Sequence, residues 1–505
     1  MIFISSKLTR YIKSGPSLNL FAGYFCFAST AAYGLLSLPL AVSFLDKEHL
    51  GLWNLVTQVV GYLLWLDLGV ATMTGRTLAE PVAKGDPIEI NRTWSAILAI
   101  LTGQALLIII VGLSLLSFFL GFFRIPEHLR EDATFVFLGA VVLNALALPV
   151  RAMPGVLLCQ DRLHLSLIIQ GILPWVNLLA FWILLESGLG IRAFVFSTAV
   201  VNICQFIWYQ RLLKDSSHPL KFRMDLVSRK SIRPILGFSS SMMLWGIAPA
   251  AIASIPALVI GRNLTLDHVS IYNVTSRIPV MLAGIALRTY HSFYPRLQKL
   301  FVSGERQKFA LLYRFSTLLS IWVTGILLFL GAAINPLMVA FLARPDFFGG
   351  NLLTILLAVG LIHIAVAEHL GTLFYCAGKP KLVSLVLALE VAITFVLAVI
   401  LCKQFGLIGI AAALAFTPAV IRIPYFMAFG PKTCGFRLFE LYASSINGVA
   451  SILLMGSGIC LLILARITVT SISASIVCLV IGGVVGFFSL KSGWRDFIKL
   501  KHGEK

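Results

Sequence analysis

Residues 50–54, Leu-Gly-Leu-Trp-Asn, return 219 positions later as residues 269–273, Val-Ser-Ile-Tyr-Asn. At the same offset, Gly190-Ile191 falls on Gly409-Ile410. One short match arises easily by chance, whereas matches at nearly one offset across about 150 residues, with Gly155 and Gly371 at a shift of 216, indicate an internal repeat. The sequence therefore predicts two halves built to one plan. Many membrane transporters have this organisation, with the substrate site at the interface between the repeats.

The composition is that of a membrane protein, because 59% of the residues are hydrophobic and only 12% are charged. Apolar runs long enough to cross about 30 Å of hydrocarbon as helices recur along the chain, and the short alternating segments typical of a β-barrel are missing. We predict an all-α polytopic membrane protein with about 14 transmembrane helices. The predicted spans are 18–44, 50–74, 93–121, 133–158, 164–186, 190–213, 235–260, 267–291, 311–335, 350–375, 382–402, 408–430, 441–465 and 469–490.

The repeat groups these helices into two lobes and an appendage. Helices 1–6 form the N-terminal lobe, residues 1–213, and helices 7–12 form the C-terminal lobe, residues 235–430. Two additional helices, 13 and 14, occupy residues 441–490 and have no counterpart in the repeat. A tail, residues 491–505, completes the chain.

The net charge of +19 is explained by membrane topology. Of the 40 Lys and Arg residues, 27 fall on the side of the predicted amino terminus and 8 on the opposite side. Positive residues gather on the cytoplasmic side of membrane proteins. We therefore expect a multi-pass protein of the inner (cytoplasmic) membrane with both termini in the cytoplasm. The basic loops are predicted to face the lipid bilayer, and no nucleic-acid partner is expected.

Signatures of enzymes and cofactors are missing from the sequence. Gly378-Lys379 is followed by Pro380, so it does not end a phosphate-binding loop for ATP. The eight cysteines lack metal-ligand spacing, so neither a cofactor nor a metal is expected. A membrane glycosyltransferase or ligase normally needs acidic residues on a sizeable outer loop, and these loops are short. The outer acids, interpreted as solvated loop charge, are Asp46, Glu48, Glu127, Glu131, Asp132, Asp267 and Asp346.

Arg277 is the clearest candidate for a functional charge inside the membrane. Ten residues after Asp267, at 1.5 Å per residue, it lies about 15 Å deep. Pro279 is expected to loosen the helix beside it, and the equivalent position in the first half is Gln58, which is also polar. An ionisable group at that depth is costly and is functional by default. An anion site facing a cavity and a structural ion pair both remain open.

Three further sets of charges lie within predicted helices. Asp67 in helix 2 is expected either to pair with Arg288 across the halves or to carry a coupling ion, proton or sodium. Arg151 and the pair Glu368-His369 occupy nearly the same repeat position and are candidate partners. Glu390 and Arg422 reach similar depths, which predicts a structural ion pair. The candidate substrate-binding residues are thus Arg277, Arg288, Arg151, Gln58 and Arg422, and the candidates for ion coupling or gating are Asp67, Glu368, His369 and Glu390.

Residues 45–54 and the nearby Leu66-Asp67-Leu68-Gly69 resemble the first helical pair of the polysaccharide repeat-unit flippases. These flippases belong to the multidrug/oligosaccharidyl-lipid/polysaccharide exporter superfamily. The second-half stretch from Tyr272 to Arg277 is similar to that family as well, and the 6 + 6 + 2 order of helices agrees with it. The matching stretches cover about a quarter of the chain.

The resemblance implies two six-helix lobes around a central cavity. A polyprenyl-diphosphate-linked oligosaccharide would pass from the cytoplasmic to the outer leaflet by alternating access, driven by an ion gradient. An ion-coupled small-molecule or drug antiporter of the same fold is the alternative, although such antiporters typically have twelve helices. A membrane glycosyltransferase or ligase is the other class considered.

Overall fold

The computed structural model describes residues 15–64, 69–214, 220–437 and 441, and this part of the chain is made of helices and turns without a strand. The predicted helices 13 and 14, the tail and Asp67 lie outside it. The chain divides into two compact units, Met1–Ile247 and Ala248–Lys505, which are described in turn.

The first unit contains eight of the described α-helices. They are α1 (Gly15–Phe44), α2 (Lys47–Leu63), α3 (Val70–Lys84), α4 (Pro87–Phe122), α5 (Arg130–Ala147), α6 (Met153–Cys159), α7 (Leu163–Glu186) and α8 (Ala193–Lys214). Helix α9 (Arg229–Asn263) begins in this unit and ends in the next.

The second unit continues with six further described helices. They are α10 (Leu266–His291), α11 (Tyr294–Val302), α12 (Arg306–Leu342), α13 (Asn351–Cys376), α14 (Pro380–Val420) and α15 (Arg422–Thr433). The all-α polytopic fold predicted from the sequence is confirmed.

The internal repeat is visible in the backbone. Helix α2 begins at Lys47 and α10 at Leu266, and α4 begins at Pro87 and α12 at Arg306; both pairs are 219 positions apart. Each unit also makes its turn before the next long helix with a left-handed glycine, Gly85 at φ 66° and Gly304 at φ 74°. Residues that carry a side chain rarely adopt this backbone conformation, so both positions favour glycine.

Two predicted spans contain a break in the helix. The span 50–74 was wrong as one continuous helix, whereas Glu127–Cys159 is still long and apolar enough to cross a membrane despite its break. The span 50–74 ends as helix α2 at Leu63, and α3 starts after Gly69, whose left-handed φ of 75° cannot continue a helix. The span 133–158 breaks into α5, a 3₁₀ turn at Pro149–Ala152 and α6. Pro149 and Pro154 explain this break, because proline donates no backbone hydrogen bond.

The span predicted at 408–430 is also divided. Helix α14 crosses Gly406, where φ 59° and ψ −133° mark the turn expected between spans 11 and 12. It ends at Val420, two residues after Pro418, and α15 restarts at Arg422. The break therefore falls beside the buried charge Arg422.

Within the described ranges, nine helices are long and apolar enough to cross a membrane. Helices α2, with 17 residues, and α3, with 15, are not among them, and the stretch Pro380–Thr433 contains two of the predicted spans. Large apolar side chains are exposed along these helices, as in Phe118, Trp182 and Leu385. The protein is a multi-pass membrane protein whose exposed apolar faces suit lipid.

In the first unit, α3 and α6 pack backbone against backbone through Gly75 and Gly155. A Cβ added to Gly155 would lie 2.6 Å from the backbone nitrogen of Gly75. The thiol of Cys159 donates to the carbonyl oxygen of Gly75 at 2.7 Å. Small residues allow membrane helices to approach this closely and gain dispersion contacts.

The second unit has two main apolar clusters. One includes Leu297, Phe309 and Phe426, and the other includes Val259, Leu353 and Ala398. Helix α14 contributes Val383 to the first cluster and Ala398 to the second, and Glu390 lies between them in sequence. A charged group within an apolar core needs a partner of opposite charge, so the surroundings of Glu390 are a candidate site.

Candidate functional site

A buried ion-pair cluster joins α13, α14 and α15 of the second unit. The guanidinium of Arg422 reaches Glu390 through Nε, 2.8 Å from Oε2, and donates from Nη2 to Oε1 at 3.3 Å. Its third nitrogen, Nη1, donates to Oε1 of Glu368 at 2.7 Å. The side chains of Arg422 and Glu390 are 2% and 1% exposed, whereas Glu368 is 28% exposed. The pair of Glu390 and Arg422 expected from their depths is therefore present.

The cluster has an excess of one negative charge when its three members are ionised. One arginine faces two carboxylates, and the more accessible carboxylate is Glu368. The hydroxyl of Thr394, one turn after Glu390 on α14, is also buried. Uncompensated charge in a low-dielectric interior is costly, and of the two carboxylates Glu368 is the one with access to water.

His369 follows Glu368 on α13 and points into the core of the same unit. It is 2% exposed, and its Nε2 lies 2.6 Å from the hydroxyl of Thr317 on α12. That hydroxyl donates to the carbonyl oxygen of Tyr313 at 2.7 Å, so it accepts from His369. The imidazole also stacks on the Tyr313 ring, with centroids 5.0 Å apart. These contacts tie α12 to α13 beside the ion-pair cluster.

Arg277 lies on α10 of the second unit and is half-buried, and its repeat mate Gln58 is half-buried on α2 of the first. Pro279 lies within α10, as expected. Arg288 is exposed near the end of the same helix, and its predicted partner Asp67 lies outside the described residues. The proposed ion pair between them stays a prediction.

Arg151 and Glu368 were predicted as partners from their repeat positions. Arg151 is exposed on the 3₁₀ turn after α5, and its Nη2 donates to Oδ1 of Asn144 at 3.2 Å. Glu368 accepts from Arg422 in its own unit. The structure thus brings together Glu368, Glu390 and Arg422, and His369 follows Glu368 in sequence.

A second polar cluster lies at one end of the first unit, which the predicted topology places on the outer side. Arg192 contacts Asp132 from Nε at 2.8 Å and Glu131 from Nη2 at 2.7 Å. His49 lies between Asp46 and Asp132, at 2.7 Å and 3.8 Å. Asp46, His49, Asp132 and Arg192 line a pocket of about 430 Å³. The outer acids interpreted as solvated loop charge are thus partly organised into a network.

Sequence reasoning missed two features of the second unit. It did not predict that Arg422 holds both Glu368 and Glu390, and no spacing signal in one sequence reveals three helices meeting. It also missed Asn335, whose carboxamide donates to the carbonyl oxygen of Thr275 at 3.0 Å. Here a signal exists, because Pro279 removes the backbone donor that would normally bond that oxygen.

Solved structures of known proteins share the fold of this chain. The chain resembles the structure titled lipid II flippase MurJ, inward closed conformation, with a TM-score of 0.69 and 13% identity. That match covers 95% of this chain and 99% of the other. An inward-facing multidrug resistance MATE family transporter of the MOP superfamily matches with a TM-score of 0.64 and 14% identity, over 80% of this chain and 94% of that chain. The fold is that of these membrane transporters.

Among curated proteins, the chain is similar to the probable low-salt glycan biosynthesis flippase Agl15 of Haloferax volcanii. The two are 21% identical over 392 residues, which is 75% of this chain and 77% of the relative. No family model matches the chain. The resemblance to glycan flippases that the sequence motifs indicated is thereby confirmed, and a non-enzymatic transporter agrees with both kinds of comparison.

Proposed function

We propose that this protein is a flippase that moves a polyprenyl-diphosphate-linked oligosaccharide from the cytoplasmic to the outer leaflet. The observation that carries the proposal is the similarity, over three-quarters of the chain, to a protein named as a glycan biosynthesis flippase. The fold shared with a lipid II flippase supports it. The protein works in the inner membrane with both termini in the cytoplasm, as the bias of Lys and Arg favours.

The chemistry of the substrate suits the charges in the second unit. A diphosphate brings two or more negative charges into a low-dielectric environment, so a cation must meet it. Arg277 lies near mid-depth on α10 and offers a planar guanidinium that binds phosphate oxygens in pairs. We assign it the role of substrate anion site of the second unit, with Arg288 on the same helix as a further polar contact; Arg151 and Gln58 of the first unit stay candidate substrate-binding residues.

The buried cluster around Arg422 is the best candidate for ion coupling. Its excess negative charge is neutralised when a proton or sodium ion binds at Glu390 or Glu368. One charge that moves across 100 mV releases about 2.3 kcal/mol. The cluster joins α13, α14 and α15, so binding or release of an ion there would change the electrostatic interaction between these helices. An ion gradient could drive movement of the second unit in this way. Asp67 remains a second candidate for this role.

An ion-coupled drug antiporter is the second candidate function, and the fold likeness to a MATE family transporter favours it. That match covers 80% of this chain, whereas the match to the lipid II flippase covers 95%. The longer match supports the flippase.

The test is a deletion strain complemented with wild-type protein, Arg277→Ala or Arg277→Lys, with Arg130→Ala as an exposed arginine control on the outer side. We expect the deletion to remove a surface glycan and to leave its lipid-linked precursor facing the cytoplasm. Arg277→Ala should fail to complement although its membrane abundance is normal. Arg277→Lys should complement in part, because lysine keeps the charge but lacks the planar guanidinium that binds two phosphate oxygens at once. Arg130→Ala should complement fully. Drug sensitivity without glycan loss would instead favour the antiporter.

A further inference from the structure

Pro279 creates a local defect in the hydrogen bonding of α10. In a helix, the backbone N–H of residue 279 would donate to the carbonyl oxygen of Thr275, four residues earlier. Proline has no N–H, so that carbonyl loses its helical donor. Such a group inside a membrane protein must find another partner, because the bilayer core offers no water.

Asn335 of α12 supplies the missing donor. Its Nδ2 lies 3.0 Å from the carbonyl oxygen of Thr275 and 3.1 Å from the hydroxyl of Thr354. The hydroxyl of Thr354 donates to the carbonyl oxygen of Gly350 at 3.2 Å, so it accepts from Asn335. A carbonyl oxygen accepts only, so each of the two amide protons has its own acceptor, and this fixes the orientation of the carboxamide. Asn335 itself is fully buried.

The side chain of Thr275 is anchored as well. Its hydroxyl accepts from the backbone N–H of Gly349 at 2.9 Å and donates to the carbonyl oxygen of Phe347 at 3.3 Å. Both residues belong to the connection between α12 and α13. Main chain and side chain of one residue are therefore held by separate neighbouring elements, which makes Thr275 a fixed point on α10.

Arg277 lies between this fixed point and the proline. It is two residues after Thr275 and two before Pro279, within the turn that lacks its own helical bond. Without Asn335, the backbone of that turn would lose the hydrogen bond that restrains it at Thr275. The orientation of the guanidinium thus depends on a side chain from another helix.

The first half of the chain lacks this arrangement. At the repeat offset of 219, Thr275, Pro279 and Asn335 correspond to Val56, Val60 and Leu116, all apolar. Arg277 corresponds to the uncharged Gln58. The proline, its substitute donor and the arginine occur together in one half and are absent together from the other, which links the hydrogen bond to the arginine.

We propose that Asn335 is a positioning residue for Arg277. It replaces the donor that Pro279 lacks, and so holds the turn of α10 in the geometry that presents Arg277 to a diphosphate. This inference rests on the proposed function for the role of Arg277. The hydrogen bond to Thr275 stands apart from that function and is tested separately.

The test uses Asn335→Leu, which keeps the branched shape of the side chain but removes the donor, in two backgrounds, so that the extra volume of leucine is common to both. In wild-type protein it should lower the midpoint of thermal unfolding by several degrees, because the Thr275 carbonyl loses its partner. In a Pro279→Ala background, the restored N–H bonds that carbonyl, and Asn335→Leu should have a much smaller effect. Equal losses in both backgrounds would overturn the proposal, because Asn335 would then act through packing alone.

Glycan export by the same full-length variants tests the positioning. Asn335→Leu should reduce export per molecule about tenfold or more, since a misplaced binding group commonly costs this much. Combined with Arg277→Ala, it should reduce export no further than Arg277→Ala does alone. Additive losses would overturn the positioning role. If Arg277→Ala alone leaves export intact, the anion site is what has failed, and the unfolding comparison still decides whether Asn335 replaces the missing donor.

Discussion

The two units share a backbone plan but differ in how deeply their ion pairs are buried. In the second unit, Arg422 is 2% exposed and binds two carboxylates between membrane helices. In the first unit, Arg192 is 36% exposed and binds Asp132 and Glu131 near the ends of helices. At the repeat offset, Arg422 corresponds to Ile203, which is 58% exposed. One ion pair is therefore placed where desolvation is severe and the other where water screens it.

This difference teaches that a repeated fold does not imply a repeated function. A buried ion pair is seldom justified by stability alone, because desolvation offsets most of its attraction. A charged cluster that is buried between membrane helices is therefore a candidate for ion binding. We infer that coupling lies in the second unit. The rim network of the first unit, formed by Arg192, Asp132 and Glu131, has a structural role.

Removing Arg422 should have the largest effect on stability. Arg422→Leu leaves Glu390 buried without its counter-charge and should destabilise the protein by about 3–5 kcal/mol. Arg192→Leu is the matched control and should cost clearly less, because Glu131 is 86% exposed and water screens the ion pairs of Arg192. Thermal unfolding in detergent measures both. Similar losses for the two arginines would contradict the contrast between the units.

Neutralising Glu390 should separate stability from coupling. Glu390→Gln removes the excess negative charge of the cluster while it keeps a hydrogen-bond acceptor for Arg422. We expect near-normal abundance with loss of gradient-driven export, up to a factor of roughly 50 per 100 mV for one coupled charge. Asp132→Asn in the rim network should leave the gradient response intact. Export that still follows the gradient in Glu390→Gln would place the coupling ion elsewhere, with Asp67 as the next candidate.

Equivalent glycines of the two units should tolerate a methyl group differently. Gly155 and Gly371 match at an offset of 216. A Cβ on Gly155 would meet the backbone nitrogen of Gly75 at 2.6 Å, whereas one on Gly371 would meet the Phe426 ring at 3.3 Å. Gly155→Ala should therefore cost about 1–3 kcal/mol of unfolding free energy, and Gly371→Ala clearly less. Unfolding curves that rank the two in the opposite order would refute this account of the packing.

The smallest expected effect concerns the helix caps of the two units. The Asp46 side chain accepts from the backbone N–H of His49 at 2.9 Å, and its repeat mate Thr265 contacts the ring Nδ1 of His268 at 2.7 Å instead. Asp46→Ala should cost about 1 kcal/mol and Thr265→Ala less, which stability measurements at neutral pH will show.

The cap of Asp46 should also depend on pH. Burial alone would raise the pKa of Asp46, but hydrogen bonds from His49 outweigh it and hold the pKa below its usual 3.8. The contribution of the cap should thus be complete above pH 3.8 and disappear as the pH falls further. A cost of Asp46→Ala that is unchanged between neutral pH and pH 3 would argue against the charged cap.

The sequence predicted the repeat and the membrane class well, because both leave long-range patterns. The offset of 219 reappears in the starts of α2 and α10, and hydrophobic length identifies spanning helices directly. The breaks at Gly69 and Pro149 were missed because average hydropathy over a span does not register a local change in backbone direction, even where a glycine or proline causes it. The pairing of Arg422 with Glu390 followed from their depths, but its extension to Glu368 depends on how three helices meet, which periodicity cannot show.

The proposed account is tested most directly by purified protein in vesicles that contain a defined polyprenyl-diphosphate oligosaccharide. Translocation of the glycan is scored by its access to an external enzyme, with and without an imposed ion gradient. We predict gradient-stimulated movement by the wild-type protein, little movement by Arg277→Ala, and near-normal movement by Arg130→Ala. If the wild-type protein does not accelerate movement of the lipid-linked glycan but exchanges a small cationic drug for ions, the flippase assignment is wrong.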